Sequence, residues 1–471
     1  MADTHRQHYN VTFAILALAG LSFSLLQSLV LPALRPIQLD LHTTPTAAAW
    51  ILTAYLLSAS VATPIAGRLG DMFGKKRTLV VVLAVLAAGT LISAVATSIG
   101  LMIVGRVIQG AGGAIFPLAF GIIRDEFPPG RRPGGIALIS AILGVGGGAG
   151  IVLAGPITQH LSYHWLFWLP LATVVVTTVA AWFFIPESRV LAGGTVNWTA
   201  STLLSAWLVA LLVGVSEGPS WGWASARLIG VLVLAAVLLV AWIWVELRAR
   251  EPLVDMKMMR IRGVWTTNLA AALIGFGMYS TFILVPQFAE TPSSNGYGFG
   301  ASVTQGGLFL IPLTIAMLFV SPLAGRLAGR VGSRVPLIAG AIGSAGSLAL
   351  LAFAHGQKWE IYVATFLLGA GIGLSFAAMA NLIVDAVPAE QTGVATGVNT
   401  IMRTIGGALG SVIAISILAG SELKDKLPSN HGYTLAFAVS ALSLVVAVGA
   451  SLLVPTRASA RREQGMAEAA A

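Results

Sequence analysis

Asp71 and Lys75 stand one helical turn apart inside GRLGDMFGKKR (67–77), a block that sets five charges (Arg68, Asp71, Lys75, Lys76, Arg77) between two long apolar runs. Arg106 and Gln109 lie three residues apart in another apolar run, and Asn399 and Arg403 four apart in a third. Such side chains can form ion pairs, bind a helix terminus or carry a proton. The sequence holds no cysteine, no HExxH pair, no GxxxxGK[ST] loop and no acid pair within an apolar run. That sets aside disulfides, thiol or metal catalysis, carboxylate-pair hydrolysis and nucleotide-driven work, so neither a cofactor nor an enzyme is expected.

The elements that carry these residues are strongly apolar. Of 471 residues, 56% are hydrophobic and 10% charged, against about 45–50% and about 25% in soluble domains, so the chain's solvent is a lipid bilayer. The net charge of +9 comes from basic residues scattered between apolar stretches, which argues against a nucleic-acid partner. A span needs about 20 mainly apolar residues, because backbone amides in lipid must bond within their own segment. Fourteen segments qualify: 11–34, 46–66, 78–96, 100–123, 134–158, 163–185, 198–216, 226–246, 264–289, 301–324, 336–354, 359–384, 393–419 and 433–455. The polar opening MADTHRQHYN runs into an apolar segment too long for a signal-peptide core and without a clear small-residue cleavage site, so the first segment is expected to remain as a membrane helix.

Of the 27 Lys and Arg, 20 share one side if the N-terminus is cytoplasmic, among them Lys75, Lys76, Arg77, Arg131, Arg132, Arg260, Arg262 and the tail residues Arg457, Arg461 and Arg462. Five fall on the other side (Arg35, Arg227, Lys358, Lys424, Lys426), and Arg106 and Arg403 lie within spans. The positive-inside rule then puts both termini in the cytoplasm of a multi-pass cell-membrane protein.

PIAGRLGDMFGKKR (64–77) aligns with PLAGRLAGRVGSR (322–334) at an offset of 258, with Gly329 in place of Asp71, and both copies are read as turns between spans. GAGGAIFPLAFGIIRDEFP (110–128) resembles GAGIGLSFAAMANLIVDAVP (369–388). Two matches in one order mark duplicated halves, and parallel repeats of this kind in transporters hold their site at the repeat interface near mid-membrane. The expected organisation is a six-helix bundle at 1–189, two inserted helices with a cytoplasmic linker at 190–262, and a six-helix bundle with its tail at 263–471. Trp198, Trp207, Trp221, Trp223, Trp242 and Trp244 would anchor the inserted pair at the membrane interfaces. That pair, with few polar groups beyond Glu217, reads as packing helices; lining the pathway is the alternative.

These motifs resemble the major facilitator superfamily. GRLGDMFGKKR is similar to that superfamily's loop between helices 2 and 3, IVGRVIQGAGGAIFP (103–117) to its helix 4 motif, and GVGGGAGIVLAGP (144–156) to the helix 5 antiporter motif of its exporters. With fourteen spans, the branch resembled is that of drug:proton antiporters. The resemblance implies an all-α membrane protein of two six-helix bundles plus two additional helices. It also implies a monomeric secondary active transporter that exports amphipathic small molecules, such as drugs or antibiotics, in exchange for protons by alternating access.

The same resemblance assigns roles. Gly67, Arg68, Gly70, Asp71, Gly74, Lys75 and Asp125 would form a conformational latch, with the acid against the helix that opens the last pair of the other half; a solvated turn is the alternative. One latch closes one interface, so the second copy can lose its acid. Arg106 with Gln109, and Arg403, would serve proton coupling or cavity charge, against the alternative of arginines snorkelling to the interface. Gly148, Gly150, Gly155 and Pro156 belong to the antiporter motif, which departs from the family pattern at Gln159 and His160.

Span 1 departs as well: GLSFSLLQSLVLPAL (20–34) has Phe23 or Ser24 where the exporters resembled carry an aspartate. All eighteen Asp and Glu are read into loops, tails or span ends, which leaves Asp125, Glu290, Asp40, His160 and His164 as candidate proton carriers. A cavity with Arg106 and Arg403 and no fixed anion suits neutral or anionic amphiphiles. Its expected lining is Gln27, Ser28, Gln109, Asn268, Phe276, Tyr279, Gln305, Asn381 and Asn399. A proton-independent facilitator or importer of a polar or anionic solute is the other reading.

Overall fold

The computed structural model describes residues 9–30, 32–188, 190–421 and 427–456. Lys424, Lys426, Arg457, Arg461, Arg462 and the peptide before Tyr9 fall outside the described residues. Among those described, fourteen helices are long and apolar enough to cross a bilayer. Spans 1 to 7 are Tyr9–Ser28, Ala47–Phe73, Lys75–Ala94, Ile99–Glu126, Arg132–His160, Trp165–Phe184 and Trp198–Trp221. Spans 8 to 14 are Ala226–Arg248, Arg262–Glu290, Thr304–Val331, Arg334–Phe353, Lys358–Ala386, Ala389–Ala419 and Asn430–Leu453.

Side-chain caps fix where several spans begin. Thr44 accepts from Ala47 N (3.2 Å), Ser98 from Leu101 N (3.3 Å), Ser225 from Leu228 N (3.2 Å) and Ser429 from Gly432 N (3.1 Å). Each satisfies an amide that the first helical turn leaves without a partner.

Three bounds correct the sequence reading. Span 2 runs on to Phe73, so GRLGDMF is helix and the turn shrinks to Gly74 (φ 107°); in the second copy it shrinks to Gly332 (φ 89°). Positive φ is cheap only for glycine, which is why both copies carry one there. Span 1 stops at Ser28, a few residues before Pro32, and a short helix Leu34–Asp40 follows. Span 4 is broken into Ile99–Gln109, a 3-10 turn at Gly110–Ala114 and Ile115–Glu126. Pro117 lacks an amide donor, and a mid-span 3-10 segment commonly marks a hinge.

The packing repeats between halves. Spans 1·5, 1·6, 2·4, 3·4 and 3·6 pair in the first half, and 9·13, 9·14, 10·12, 11·12 and 11·14 pair in the second. Buried apolar side chains gather correspondingly into two large clusters. The halves meet along a seam of spans 2·13, 5·10, 5·12 and 4·13.

Spans 7 and 8 pair with each other, and span 7 packs on spans 2 and 13. Trp207 and Trp242, expected at the membrane interfaces, are instead buried with ring centroids 6.0 Å apart, in one cluster with Val394, Val398 and Ile401. Trp198, Trp223 and Trp244 stay exposed. Glu246, overlooked in the sequence, is buried near the end of span 8 and accepts from Trp242 Nε1 (3.1 Å), Leu253 N (2.9 Å) and Val254 N (3.1 Å), which folds the linker back onto the helix. In the same linker, hydrogen bonds from Thr195 hold the Glu251 carboxyl below its usual range.

Candidate functional site

On the face that carries most of the described Lys and Arg, the end of span 2 meets the start of span 13. Asp71 is fully buried there, its Oδ1 accepting from Gly393 N and its Oδ2 from Val394 N, each at 3.1 Å. Both are first-turn amides of the α-helix Thr392–Ala419 within span 13, and the partial positive charge of a helix N-terminus favours an anion. Gly67, one turn earlier, makes the approach possible: a Cβ on it would lie 2.6 Å from Gly393 O. Gly70 presses on Leu118, and Arg68, half-buried, stands within electrostatic reach of Asp71 and Glu246.

Behind the acid, fully buried Lys75 donates to Asp125 Oδ2 at 2.8 Å and lies 3.9 Å from Asp71 Oδ1, and Ser188 Oγ also donates to Asp125. Glu187 caps the start of span 3 by accepting from Lys76 N (3.1 Å) and Arg77 N (3.2 Å). Arg124, which the sequence reading passed over, donates to Thr392 Oγ1 (2.6 Å), Val387 O (2.9 Å) and Pro388 O (3.1 Å). The start of span 13 is thus held by both signs of charge: Asp71 takes its amides, and Arg124 takes the carbonyls just before it. The sequence signal for Arg124 was its place beside Asp125, but it looked like any basic residue at a span end.

The repeated copy lacks the acid and one of the two amide donors of this contact. Gly329 is exposed, with nothing near where a Cβ would stand. Gly325, the counterpart of Gly67, packs instead on the start of span 5, where a Cβ would lie 2.9 Å from Gly134 Cα and 3.0 Å from Pro133 O. Pro133 therefore occupies the place of Gly393, and proline has no N–H to donate. Asn381 bridges here, donating to Ala377 O (2.9 Å) and Pro133 O (3.4 Å). The close Gly67 approach gives a first prediction: Gly67→Ala overpacks the contact by roughly 1–3 kcal/mol and should lower transport several-fold at unchanged expression. Wild-type transport rates in that variant would show that the contact is not tight.

Deeper in, Arg106 faces the bundle interior and not lipid. It is fully buried; Nε donates to Ile51 O (3.1 Å), and Nη1 to Leu26 O (3.1 Å) and Gln109 Oε1 (2.6 Å). Its guanidinium lies 4.0 Å from the Tyr55 ring centroid. Leu26 belongs to the last turn of span 1, whose carbonyl end favours a cation. Gln109 passes the contact on to Ser93 Oγ (3.3 Å). Among the described residues Arg106 has no ion-pair partner.

Arg403 lies over the Phe376 ring at 4.5 Å, beside a 20 Å³ cavity between spans 4, 5, 12 and 13 that Phe116, Ser140, Asn399 and Thr400 also line. Asn399 Nδ2 donates to Asn268 Oδ1 at 2.9 Å. Across the seam, Gln27 Nε2 donates to Tyr279 Oη at 3.4 Å, and half-buried Phe276 lies one turn before Tyr279. Three residues read as cavity lining are placed elsewhere. Ser28 bridges spans 1 and 5 by donating to Gly146 O (2.9 Å), Gln305 is exposed in a capping box with Ser302, and Asn381 lies toward the basic face.

The glycine-rich segment of span 5 serves two neighbours. A side chain at Gly148 would collide with Thr314 and one at Gly155 would lie 2.9 Å from Thr304, both on span 10, whereas Gly150 accommodates Ser28 of span 1. Pro156 is exposed, and Gln159 still reaches Thr304 Oγ1 at 3.5 Å. Of the candidate proton carriers, Asp125 belongs to the charge network of the basic face. Asp40, Glu290, His160 and His164 stand at helix ends on the opposite face.

Two pseudo-equivalent bundles, a charged contact between them on one face and polar groups between the spans define a polytopic membrane transporter. The sequence profile of the Major Facilitator Superfamily matches residues 16–411 and 268–470, and the chain belongs to that family, whose members are transporters and not enzymes. It is 29% identical over 420 residues to the tetracenomycin C resistance and export protein of Streptomyces glaucescens, covering 88% of this chain and 77% of that one. It is 28% identical over 373 residues to the multidrug resistance protein Stp of Mycobacterium tuberculosis (strain CDC 1551 / Oshkosh), covering 79% and 68%. The crystal structure of the human organic anion transporter MFSD10 (TETRAN) shares the fold, with a TM-score of 0.68 at 14% identity, over 94% of this chain and 100% of that one.

Proposed function

We propose that this protein is a secondary active exporter of neutral or anionic amphipathic small molecules, of the drug or antibiotic kind, working by alternating access in exchange for protons. It acts as a monomer in the plasma membrane with both termini cytoplasmic. Bundles 1–189 and 263–471 rock about the seam, and 190–262 forms a packing pair that leaves the pathway to the other twelve spans. The observation that carries the reading is the Asp71 carboxylate of one half held by the Gly393 and Val394 amides of the other. Alternating access needs such a link on one face, strong enough to hold a state and local enough to break. Relatives whose names state resistance and export support the direction.

Buried Arg106 and half-buried Arg403, with no carboxylate ion-paired to either among the described residues, support the substrate class, because an unpaired buried cation repels a cationic ligand. Uptake of a panel of anionic, neutral and cationic amphiphiles into inverted vesicles, with and without a proton gradient, tests the proposal. Arg403→Gln should reduce transport of anionic compounds at least ~10-fold, a loss of about 1.4 kcal/mol, and leave neutral ones much less affected. Equal losses for all classes would remove the charge argument, and rates indifferent to the gradient would remove exchange.

A facilitator or importer of a polar or anionic solute is the second reading. The observation favouring it is span 1, where buried Phe23 packs on Tyr55 and Phe116, and Ser24 is enclosed without a hydrogen-bond partner, at the place where a titrating acid would stand.

A further inference from the structure

Away from the seam, a groove of about 750 Å³ opens on the basic face of the second half, where spans 9 and 11 begin and span 14 ends. Its lining sets Arg260, Arg262 and Arg334 against one carboxylate, Asp385, beside apolar Ile338 and Leu382. Asp385 is within electrostatic reach of Arg124 from the first half, so part of its charge is answered there. Arg262 Nε donates to Leu453 O (3.1 Å) and Arg334 Nη2 to Leu452 O (2.7 Å), which orients both forks at the end of span 14. The Nε of Arg334 is enclosed yet has no hydrogen-bond partner among the described residues, and such an orphan is costly. No side chain caps the first turn of span 9 or of span 11, so two helix N-termini add positive potential.

We propose that this groove binds the phosphodiester headgroup of an anionic phospholipid, with an acyl chain along its apolar wall. Arginine forks match phosphate oxygens in number and geometry, and basic pockets between spans at the membrane edge recognise such headgroups. The wall also continues into exposed Val331 and Val335, where an acyl chain finds cover and a soluble anion gains nothing. The chain's own segment after Thr456, at the groove's edge, is the poorer occupant: it brings Arg457, Arg461 and Arg462 before its first acid, Glu463. Bound there, the lipid would tie together the ends of spans 9, 11 and 14.

Full-length protein in detergent, titrated with phosphatidylglycerol or phosphatidylcholine and read by native mass spectrometry, tests this. One phosphatidylglycerol should bind at least ~10-fold more tightly than phosphatidylcholine, which has the same phosphodiester but adds a quaternary ammonium that the three arginines repel. Arg260→Gln and Arg262→Gln, both at exposed positions, should each weaken phosphatidylglycerol several-fold, and Arg262→Lys should restore part of the loss. Equal affinity for the two lipids, or unchanged affinity in both glutamine variants, overturns the proposal. Displacement by millimolar inorganic phosphate would assign the site to a soluble anion and overturn it too. So would a chain ending at Thr456 that gains phosphatidylglycerol affinity, because the tail would then be the occupant. No arm reads transport, so failure of the export reading leaves these outcomes interpretable.

Discussion

Asp71→Ala should release the contact between spans 2 and 13 and shift the protein toward conformations open on the basic face by roughly 100-fold. The carboxylate accepts two buried amides, and hydrogen bonds to charged groups contribute about 1.5–3 kcal/mol each. Removing it also strands the Gly393 and Val394 amides and leaves Lys75 with Asp125 as its one acid. A net loss of about 3 kcal/mol corresponds to roughly a hundredfold change in a two-state equilibrium. Asp71→Asn keeps the shape but turns one acceptor into a donor facing an amide, so its shift should be nearly as large. The chain has no cysteine, so cysteines introduced at Arg77 and Glu390, both exposed, can be spin-labelled cleanly. Longer, broader distances in the variants are the expected result. Distributions that match the parent in both variants would mean that the acid does not hold the halves together.

Arg106→Lys should abolish most transport, by about 100-fold, while the protein still inserts and folds. The arginine fork bonds to carbonyls on spans 1 and 2 and to Gln109, with Tyr55 under its face. A lysine keeps the charge as a compact point and cannot hold planar, divided contacts of this kind. Arg106→Ala goes further, because it empties a buried volume and leaves those neutral acceptors unanswered, at about 1–3 kcal/mol for a stranded buried group, visible as lowered thermal stability. Transport and thermal unfolding measured together separate the two effects. A lysine variant with full activity would show that the field matters and the fork does not; an alanine variant with full activity would remove Arg106 from the mechanism.

The sequence alone determined the number of spans and the duplication, because both follow from local constraints. Lipid forces every segment to satisfy its own amides, so length and apolarity read out directly. Gly74 and Gly332 are legible for a similar reason: each turn needs a backbone conformation that only glycine adopts cheaply. Arg106 could be placed inside the bundle because a guanidinium toward acyl chains is too costly.

Tertiary structure alone decided which polar side chains work together. For Asp71 the family resemblance implied a latch on the other half, with a solvated turn as the alternative; its partners lie more than three hundred residues away, and only the packing of span 2 on span 13 buries it. Ser28 and Gln305 were indistinguishable from Gln27 and Asn399 by residue type, since which way a polar side chain faces depends on how each helix is rotated against its neighbours. The meaning of Pro133 likewise appears only when Gly325 is seen against it: the second interface lost one of the two amide donors as well as its acid. Hydrophobic patterning records burial along one helix, whereas a hydrogen bond between helices depends on two rotations and a crossing point, and the linear order of residues encodes none of these directly.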